Sequence, residues 1–553
     1  MIDKKELQKL LAGKVLFDDK TLDIFSEDTS LFKVLPELVV QPKSARDVEK
    51  LVAYVAKKKK EGENISLAPR SGGTCMAGGS LTESIVVDFA QFMNRFIGLN
   101  VKAKTATAQP GLYFRDFHQK TLAKKLLMPA YPASWQLCAI GGMVGNNAGG
   151  EKTFVYGKTE NFIKKMKVVF ADGVTRIVKP LSVADLKKKM AQKDFEGMVY
   201  KKMYALITKN EKILASAKPD VSKNSAGYYL WNVWDGKTFD LTKLLVGSQG
   251  TLGVVTEVTF DLVPTKKFSK LLVVFLSGLD DLGEMIVELK HHAPETIESY
   301  DDKTLKLAMR FAPDLIKLLK PKNILSMAWH LLPEFFMFLR RGLPKLVLMA
   351  EFTGDNEKEV LERMRSAKAS FDSRFKSAQT RITSSDDERD QFWLIRRQSF
   401  ALLRQKVIGR HTAPFIDDFA VRPEHLSEFL PKLNTILAKY KSLIFTIAGH
   451  PGDGNFHIIP LMKLKDPKQR AIIPKLSHEV YDLVLEYNGT ITAEHNDGIV
   501  RTPFLEKMYG KKIIDLFEQT KDIFDPLGIF NPGKKVRAPK DYLESHIKAD
   551  FKD

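Results

Sequence analysis

Short uninterrupted apolar runs alternate with amphipathic segments through the first half of the chain. Leu38-Val39-Val40 reads as a strand, and Gln41-Pro42-Lys43-Ser44 then caps a helix running to about residue 60. Residues 65–68, 85–88, 105–109 and 166–170 repeat the strand pattern, with a helix over 113–126 between them. The pattern closes on the stretch 245–258. After Pro264 long amphipathic helices alternate with strands such as 345–351, which reads as a second, α+β unit. The predicted organisation is a helical segment over 1–35, one unit over 36–265, a second over 266–490, and a closing segment over 491–536 that packs back on the first unit. A charged tail over 537–553 is expected to fray.

The richest chemistry lies in Gly449-His450-Pro451-Gly452-Asp453-Gly454-Asn455-Phe456-His457, with Glu494-His495 downstream. Residues 442–448 and 456–461 read as strands, and the Pro/Gly/Asp/Asn run between them is strong turn chemistry. Such a hairpin brings His450 and His457 to one end of a sheet, with Glu494 ending a short strand at 490–492. A lone His is usually a satisfied structural residue. Only 11 His occur in 553 residues, however, and this grouping favours a divalent metal held by two His and one carboxylate. His495 is then free to move a proton.

Composition narrows the class. Cys75 and Cys138 are the only cysteines, which excludes a disulfide scaffold and an iron–sulfur cluster held by four cysteines of this chain. The N-terminus lacks an apolar signal core, so a cytoplasmic protein is expected. The net charge of +19 comes from dispersed lysine clusters without any nucleic-acid-binding motif, so a solvated surface is expected and no nucleic acid. Residues 324–338 are very apolar and flanked by basic residues up to Arg341, yet Pro333 and Glu334 interrupt them and they are too short to span a bilayer. They read equally as a peripheral membrane or partner-docking element and as a core helix pair.

Two glycine-rich loops mark the first unit: Pro69-Arg70-Ser71-Gly72-Gly73-Thr74 continuing to Gly79-Ser80, and Ile140-Gly141-Gly142 continuing through Asn146 and Ala148 to Gly149-Gly150. Without a Cβ, backbone N–H groups can wrap a pyrophosphate. Neither loop fits the dinucleotide or P-loop fingerprint, but two in one unit point to a large anionic cofactor.

Together with Val155-Tyr156-Gly157, the run 247–253, the two-His turn, Ala493-Glu494-His495 and Asn531-Pro532-Gly533-Lys534, these loops resemble the FAD-linked oxidases of the vanillyl-alcohol oxidase/p-cresol methylhydroxylase superfamily. The nearest group is the D-2-hydroxyacid dehydrogenases, which includes D-lactate dehydrogenase, D-2-hydroxyglutarate dehydrogenase and the glycolate oxidase flavin subunit. The resemblance runs from about residue 30 to 536. It implies an α+β fold: a two-part FAD-binding domain of p-cresol methylhydroxylase type plus an α+β cap domain with an antiparallel sheet.

It further implies non-covalent FAD held by Pro69 to Thr74, Gly79, Ser80, Pro129, Ser134, Gly141, Gly142, Asn146, Ala148, Gly149, Tyr156, Gly157, Val255, Glu257 and Asn531. Zinc or manganese on His450, His457 and Glu494 is implied, with His495 as base and Arg396 for the substrate carboxylate. Read from its residues alone, Arg396 is as readily a helix-surface ion pair. The implied reaction is oxidation of a D-2-hydroxyacid to the 2-oxoacid. Electrons then pass to a quinone, a cytochrome or a separate iron–sulfur protein, and a homodimer is among the expected states. Another alcohol as substrate, or a flavin subunit of an electron-transfer complex, stays open. Two departures bear on the pocket's shape: Asn496 stands where the family usually has Gly, and Pro451 where a small residue is common.

Overall fold

The computed structural model describes residues 2–310, 342–406 and 409–550. Leu38, Val39 and Val40 are fully buried in the strand Leu38–Gln41, as a parallel strand covered on both faces requires. Ile85–Asp88 pairs parallel with it, and Leu67–Arg70 pairs parallel with Ile85–Asp88. The Ser44 hydroxyl caps the helix Ala45–Lys60, which seats Val48, Leu51, Val52 and Val55 in the core beneath. The predicted helical N-terminus is mixed instead. Between the helices Lys4–Leu10 and Asp19–Phe25, the strand Lys14–Leu16 adds an antiparallel edge to this sheet and buries Val15 against its core.

Among the described residues, a five-stranded antiparallel sheet completes the first unit. Its order is Phe96–Asn100, Thr105–Ala108, Val254–Asp261, Ile163–Val169 and Thr175–Val178. The helix expected over 113–126 stops at Leu122, because Lys125 turns left-handed (φ 57°) and Leu126–Leu127 pairs with Val263–Pro264. A seven-stranded antiparallel sheet dominates the rest, in the order Ala378–Ile382, Phe268–Leu276, Leu346–Gly354, Thr296–Asp301, Ile447–His450, Asn455–Ile458 and Phe419–Ala420. Helices Leu282–His291, Glu357–Arg374, Leu426–Ala438 and Ile472–Glu486 bury their apolar stripes in its core.

Three further expectations are corrected. The strand predicted over 442–448 begins only at Ile447, since Leu443 closes a turn onto Tyr440 O. The strand predicted at 490–492 is a single bridge between Thr490 and Ala420, after which the chain bends so that its N–H groups turn onto Asp418. The tail does not fray through Asp550: Tyr542 and Leu543 are buried, Phe32 bridges Ile547, and Lys548 pairs with Glu27 at 2.6 Å. The apolar, basic stretch 324–341 lies outside the described residues. No helix among the described residues is long and apolar enough to cross a membrane.

The closing segment re-enters the first unit. Leu67 N donates to Ile529 O and Asn531 N to Leu67 O, both at 2.7 Å, so Phe530 makes a parallel bridge to Leu67 at the edge of the first sheet. Gly498 (φ 53°) lies so close to Ala77 that a Cβ would stand 2.1 Å from its carbonyl oxygen. Gly498→Ala should therefore destabilise the protein by about 2 kcal/mol or more. The midpoint of thermal unfolding measures this, and an unchanged midpoint would refute the packing described.

Candidate active site

The hairpin Ile447–His450/Asn455–Ile458 sets the geometry. Gly454 makes its turn at φ 64°, and its register pairs His450 with Asn455 and His457 with Ala448. Residues 448 and 450 share a face of a strand, so the two imidazoles project from the same side. Their ring centroids are 5.2 Å apart, and His495 stacks on His457 at 5.1 Å. One ligand atom from each of His450, His457 and Glu494 lies within 4.8 Å of the other two. His450 Nε2 is 3.5 Å from Glu494 Oε1.

Buried carboxylates orient each ring. Glu298, on the central strand Thr296–Asp301, holds His450 Nδ1; the register that pairs Ser299 with Gly449 puts it there. Asp417 holds both His457 Nδ1, at 3.0 Å, and His495 Nδ1, at 2.6 Å. Nδ1 of each ring thus faces a carboxylate, through a hydrogen bond at His450 and His457 and an ion-pair contact at His495, which leaves Nε2 for a ligand, the arrangement expected around a metal or a proton-transfer site. Burial pushes His450 toward neutrality, but Glu298 and Glu494 outweigh it and raise its pKa to about 9. Burial opposes His495 in the same way, and Asp417 and Asp418 raise it to about 9. Burial opposes ionisation of Glu494, yet Lys223 and His450 hold its carboxyl well below the usual range.

A second tier fixes the loop 492–497. Asp418 Oδ2 accepts from the backbone N–H groups of Ala493, Glu494 and His495, at 2.6–3.0 Å, and from the Thr492 hydroxyl at 2.7 Å. Arg501, fully buried, donates to the carbonyls of Ile491, Asn496 and Asp417. Asn496 takes the left-handed conformation (φ 69°), which Asn tolerates better than most residues other than Gly. Its side-chain amide ties the loop to Asn146 O and Gly247 O, at 3.2 and 2.9 Å. Arg396 reaches the centre through Glu298: its Nε and Nη2 lie 3.1 and 3.0 Å from Glu298 Oε2, while Nη1 makes no hydrogen bond to the described residues.

The glycine segments converge on this loop. Residues 140–146 form the helix Ile140–Asn146 rather than a loop, so Gly141, Gly142 and Asn146 are helical, and the turn begins at Asn147 (φ 52°). Gly149 lies against the centre: a Cβ there would be 3.4 Å from Glu494 Oε1. Ala148 O accepts the Thr159 hydroxyl at 2.8 Å. Gly72 packs on Leu137 O, at the end of a turn closed by hydrogen bonds from Leu137 and Cys138 to Ser134 O, and Pro129 is buried just upstream. Arg70 spends its guanidinium on the carbonyls of Phe25 and Glu27, and Gly73 (φ 65°) folds beside it. Ser71 Oγ faces Gly142; Pro69 packs on Gly250; Thr74 is half-buried in the same stretch. Gln249 gathers four segments, bonding Asn146 Oδ1, Gly498 N and the Asn531 amide, with Gly79 against its side chain.

Three buried polar atoms on these segments, Ser80 Oγ, Asn147 Nδ2 and Asn531 Oδ1, have no hydrogen-bond partner among the described residues. Gly142 is exposed, and a Cβ at Gly145 would meet nothing nearer than 3.9 Å. Orphaned polar groups beside open backbone suit a dinucleotide cofactor such as FAD.

Two candidates do not join this group. Glu257 pairs with Lys167 at 3.1 Å beside the exposed Ile177, although Val255 two residues earlier packs on the core. Tyr156, next to Gly157 (φ 73°), donates to Glu295 at 2.9 Å and lines a cavity of about 400 Å³ with Lys152, Phe268, Glu295 and Glu351. That cavity contains none of the three imidazoles.

Residues 36–179 match the FAD binding domain family, and residues 265–535 match the C-terminal domain of FAD linked oxidases. The chain belongs to the FAD-linked oxidases. It is 26% identical over 525 residues to a D-2-hydroxyglutarate dehydrogenase from Pseudomonas putida, covering 94% of this chain and 50% of that protein. The chain thus spans about half the length of that relative. It is also 26% identical to glycolate oxidase subunit GlcD of Bacillus subtilis, over 96% of each. Substrate-bound p-cresol methylhydroxylase superposes with a TM-score of 0.66 at 15% identity, covering 96% of this chain and 95% of that one. The fold of this oxidase is therefore of the expected p-cresol methylhydroxylase type, α+β with an antiparallel sheet in its second part.

Sequence reasoning missed Glu298, Asp417, Asp418, Lys223 and Arg501. The adjacent Asp417-Asp418 inside the apolar run 413–421 was a usable signal; Lys223, in a polar Ser/Asn stretch, carried none. Arg501→Leu should cost about 3 kcal/mol or more, because it strips donors from three buried carbonyls. A denaturation midpoint within error of the parent's would contradict the role given to Arg501.

Proposed function

We propose that this oxidase converts a D-2-hydroxyacid, of the class of D-lactate, D-2-hydroxyglutarate or glycolate, to its 2-oxoacid. The observation that carries the reading is the convergence of His450, His457, Glu494 and His495 beside the glycine segments suited to FAD. The names of two relatives, a D-2-hydroxyglutarate dehydrogenase and a glycolate oxidase subunit, support the substrate class.

FAD held by the glycine segments would supply the two-electron acceptor. Zinc or manganese on His450, His457 and Glu494 would supply Lewis acidity toward the substrate's oxygens. The chain's own residues do the rest. Oxidation at C2 releases the hydroxyl proton. With a divalent ion beside His495, the pull of Asp417 and Asp418 would be offset and the ring left neutral, so that Nε2 accepts the proton while Asp417 on Nδ1 stabilises the charged ring. Arg396, with one guanidinium nitrogen unengaged by the described residues, takes the substrate carboxylate. Asn455, whose side-chain N–H groups donate to Asp418 and Phe419 O, has an Oδ1 without a partner among the described residues and stands opposite His450 in the hairpin. Electrons then leave for a quinone, a cytochrome or a separate iron–sulfur protein. The word subunit in the GlcD name favours a second reading, in which this chain is the flavin subunit of a larger complex.

Anaerobic titration of the flavin-loaded protein with a panel of D-2-hydroxyacids tests the reaction: at least one should bleach the flavin, and bleaching by none would refute it. His495→Ala should slow bleaching by about two to four orders of magnitude with the flavin retained. An unchanged rate would remove His495 from the role of base. Asp417→Asn should slow it about 10- to 100-fold, as loss of a group that orients reacting imidazoles does. Equal rates in that variant would show that the Nδ1 contacts are dispensable.

A further inference from the structure

Lys223 takes no part in the chemistry above, yet it lies at its centre. It is fully buried, with Nζ 2.5 Å from Glu494 Oε1, 3.3 Å from Asp453 Oδ2 and 3.3 Å from Gly150 O. The Glu494 oxygen it holds is the one that lies 3.5 Å from His450 Nε2. Asp453, in the turn between His450 and His457, is 2% exposed. Its Oδ1 accepts the Ser222 hydroxyl at 2.6 Å, while its Oδ2 accepts no hydrogen bond among the described residues.

A buried ammonium needs a carboxylate partner, and Lys223 has two within reach: it is hydrogen-bonded to Glu494 and lies at the longer ion-pair distance from Asp453 Oδ2. While it sits on Glu494 it occupies an oxygen that a cation between His450 and His457 also needs. Two cations on one buried carboxylate oxygen repel strongly. Asp453 Oδ2 offers the ammonium a second seat with little movement, since Ser222, the residue before Lys223, is already bonded to the same carboxylate.

We propose that Lys223 is an exchangeable internal cation: it neutralises Glu494 when no divalent ion is bound and passes to Asp453 when one binds. It thereby holds Glu494 in place and weakens the affinity for the ion. The inference rests on the ion site proposed above.

The test is titration of the flavin-loaded, substrate-free protein with Zn²⁺ in competition with a fluorescent chelator. Lys223→Met should bind Zn²⁺ at least about tenfold more tightly, because no ammonium competes. Asp453→Asn should bind it at least about tenfold more weakly, because the displaced ammonium has no carboxylate to receive it. A purely structural role predicts looser binding in both variants, so tighter binding in Lys223→Met is the distinguishing result. Lys223→Met leaves Glu494 without its cation and is best produced with zinc present. If it is still insoluble, Lys223→Gln, which is neutral but keeps a donor for Glu494, replaces it with the same expectation of tighter binding, and its flavin absorbance checks folding. Equal or weaker binding in soluble Lys223→Met, or unchanged binding in Asp453→Asn, overturns the inference. A parent protein that binds no Zn²⁺ at one equivalent overturns the ion site itself.

Discussion

Two buried carboxylates, Glu298 on the strand to one side of the two-His hairpin and Asp417 just before the strand on its other side, organise the rest of the site. Glu298 and Asp417 grip the Nδ1 atoms of three imidazoles and so decide where the three Nε2 atoms point. Imidazoles on a hairpin would otherwise choose among rotamers, and a metal or a proton-transfer step needs one choice. The register of the seven-stranded sheet supplies it. Ser299 opposite Gly449 sets Glu298 by His450, and Phe419 opposite Phe456 sets Asp417 by His457.

Burying so much charge is costly unless each group has a partner. The partners here are local and shared. Asp418 collects three successive N–H groups and a hydroxyl from the loop that carries Glu494 and His495. Arg501 binds the same loop's carbonyls from the other direction, and Lys223 balances Glu494. The glycines allow the two halves of the molecule to meet over this charge. Gly149 lets one approach Glu494, and Gly498 lets the loop that carries Glu494 and His495 lie on Ala77. The site thus belongs to both halves, which explains why its residues span the chain from Gly149 to His495.

Much of this was legible in the sequence. The apolar run at 38–40, the Ser44 cap and the two-His turn each act over a few residues, and local physics fixed them. The FAD-linked oxidase assignment followed from ordered motifs spread along the chain. What escaped depends on tertiary pairing. The strand expected at 442–448 gave way to a turn because Ile444 bridges Leu461 instead. The tail expected to fray is held by Phe32 and Glu27, more than 500 residues away in the chain. Glu298 sits in Thr296–Asp301, a buried strand of mixed polar and apolar residues whose pattern gives no hint of His450 across the ladder. Glu257 shared the stretch 245–258 with Val255, but a bulge between them and the Lys167 pair turn it elsewhere.

The central claim is that these imidazoles and a divalent ion act on a 2-hydroxyacid next to a flavin. The most direct measurement is the anaerobic rate of flavin reduction by a reactive D-2-hydroxyacid before chelation of the protein's divalent ion, after it, and after the ion is returned. The account predicts that rapid reduction is lost with the ion and regained with it, while the flavin stays bound throughout. Reduction at an undiminished rate in metal-free protein would contradict it.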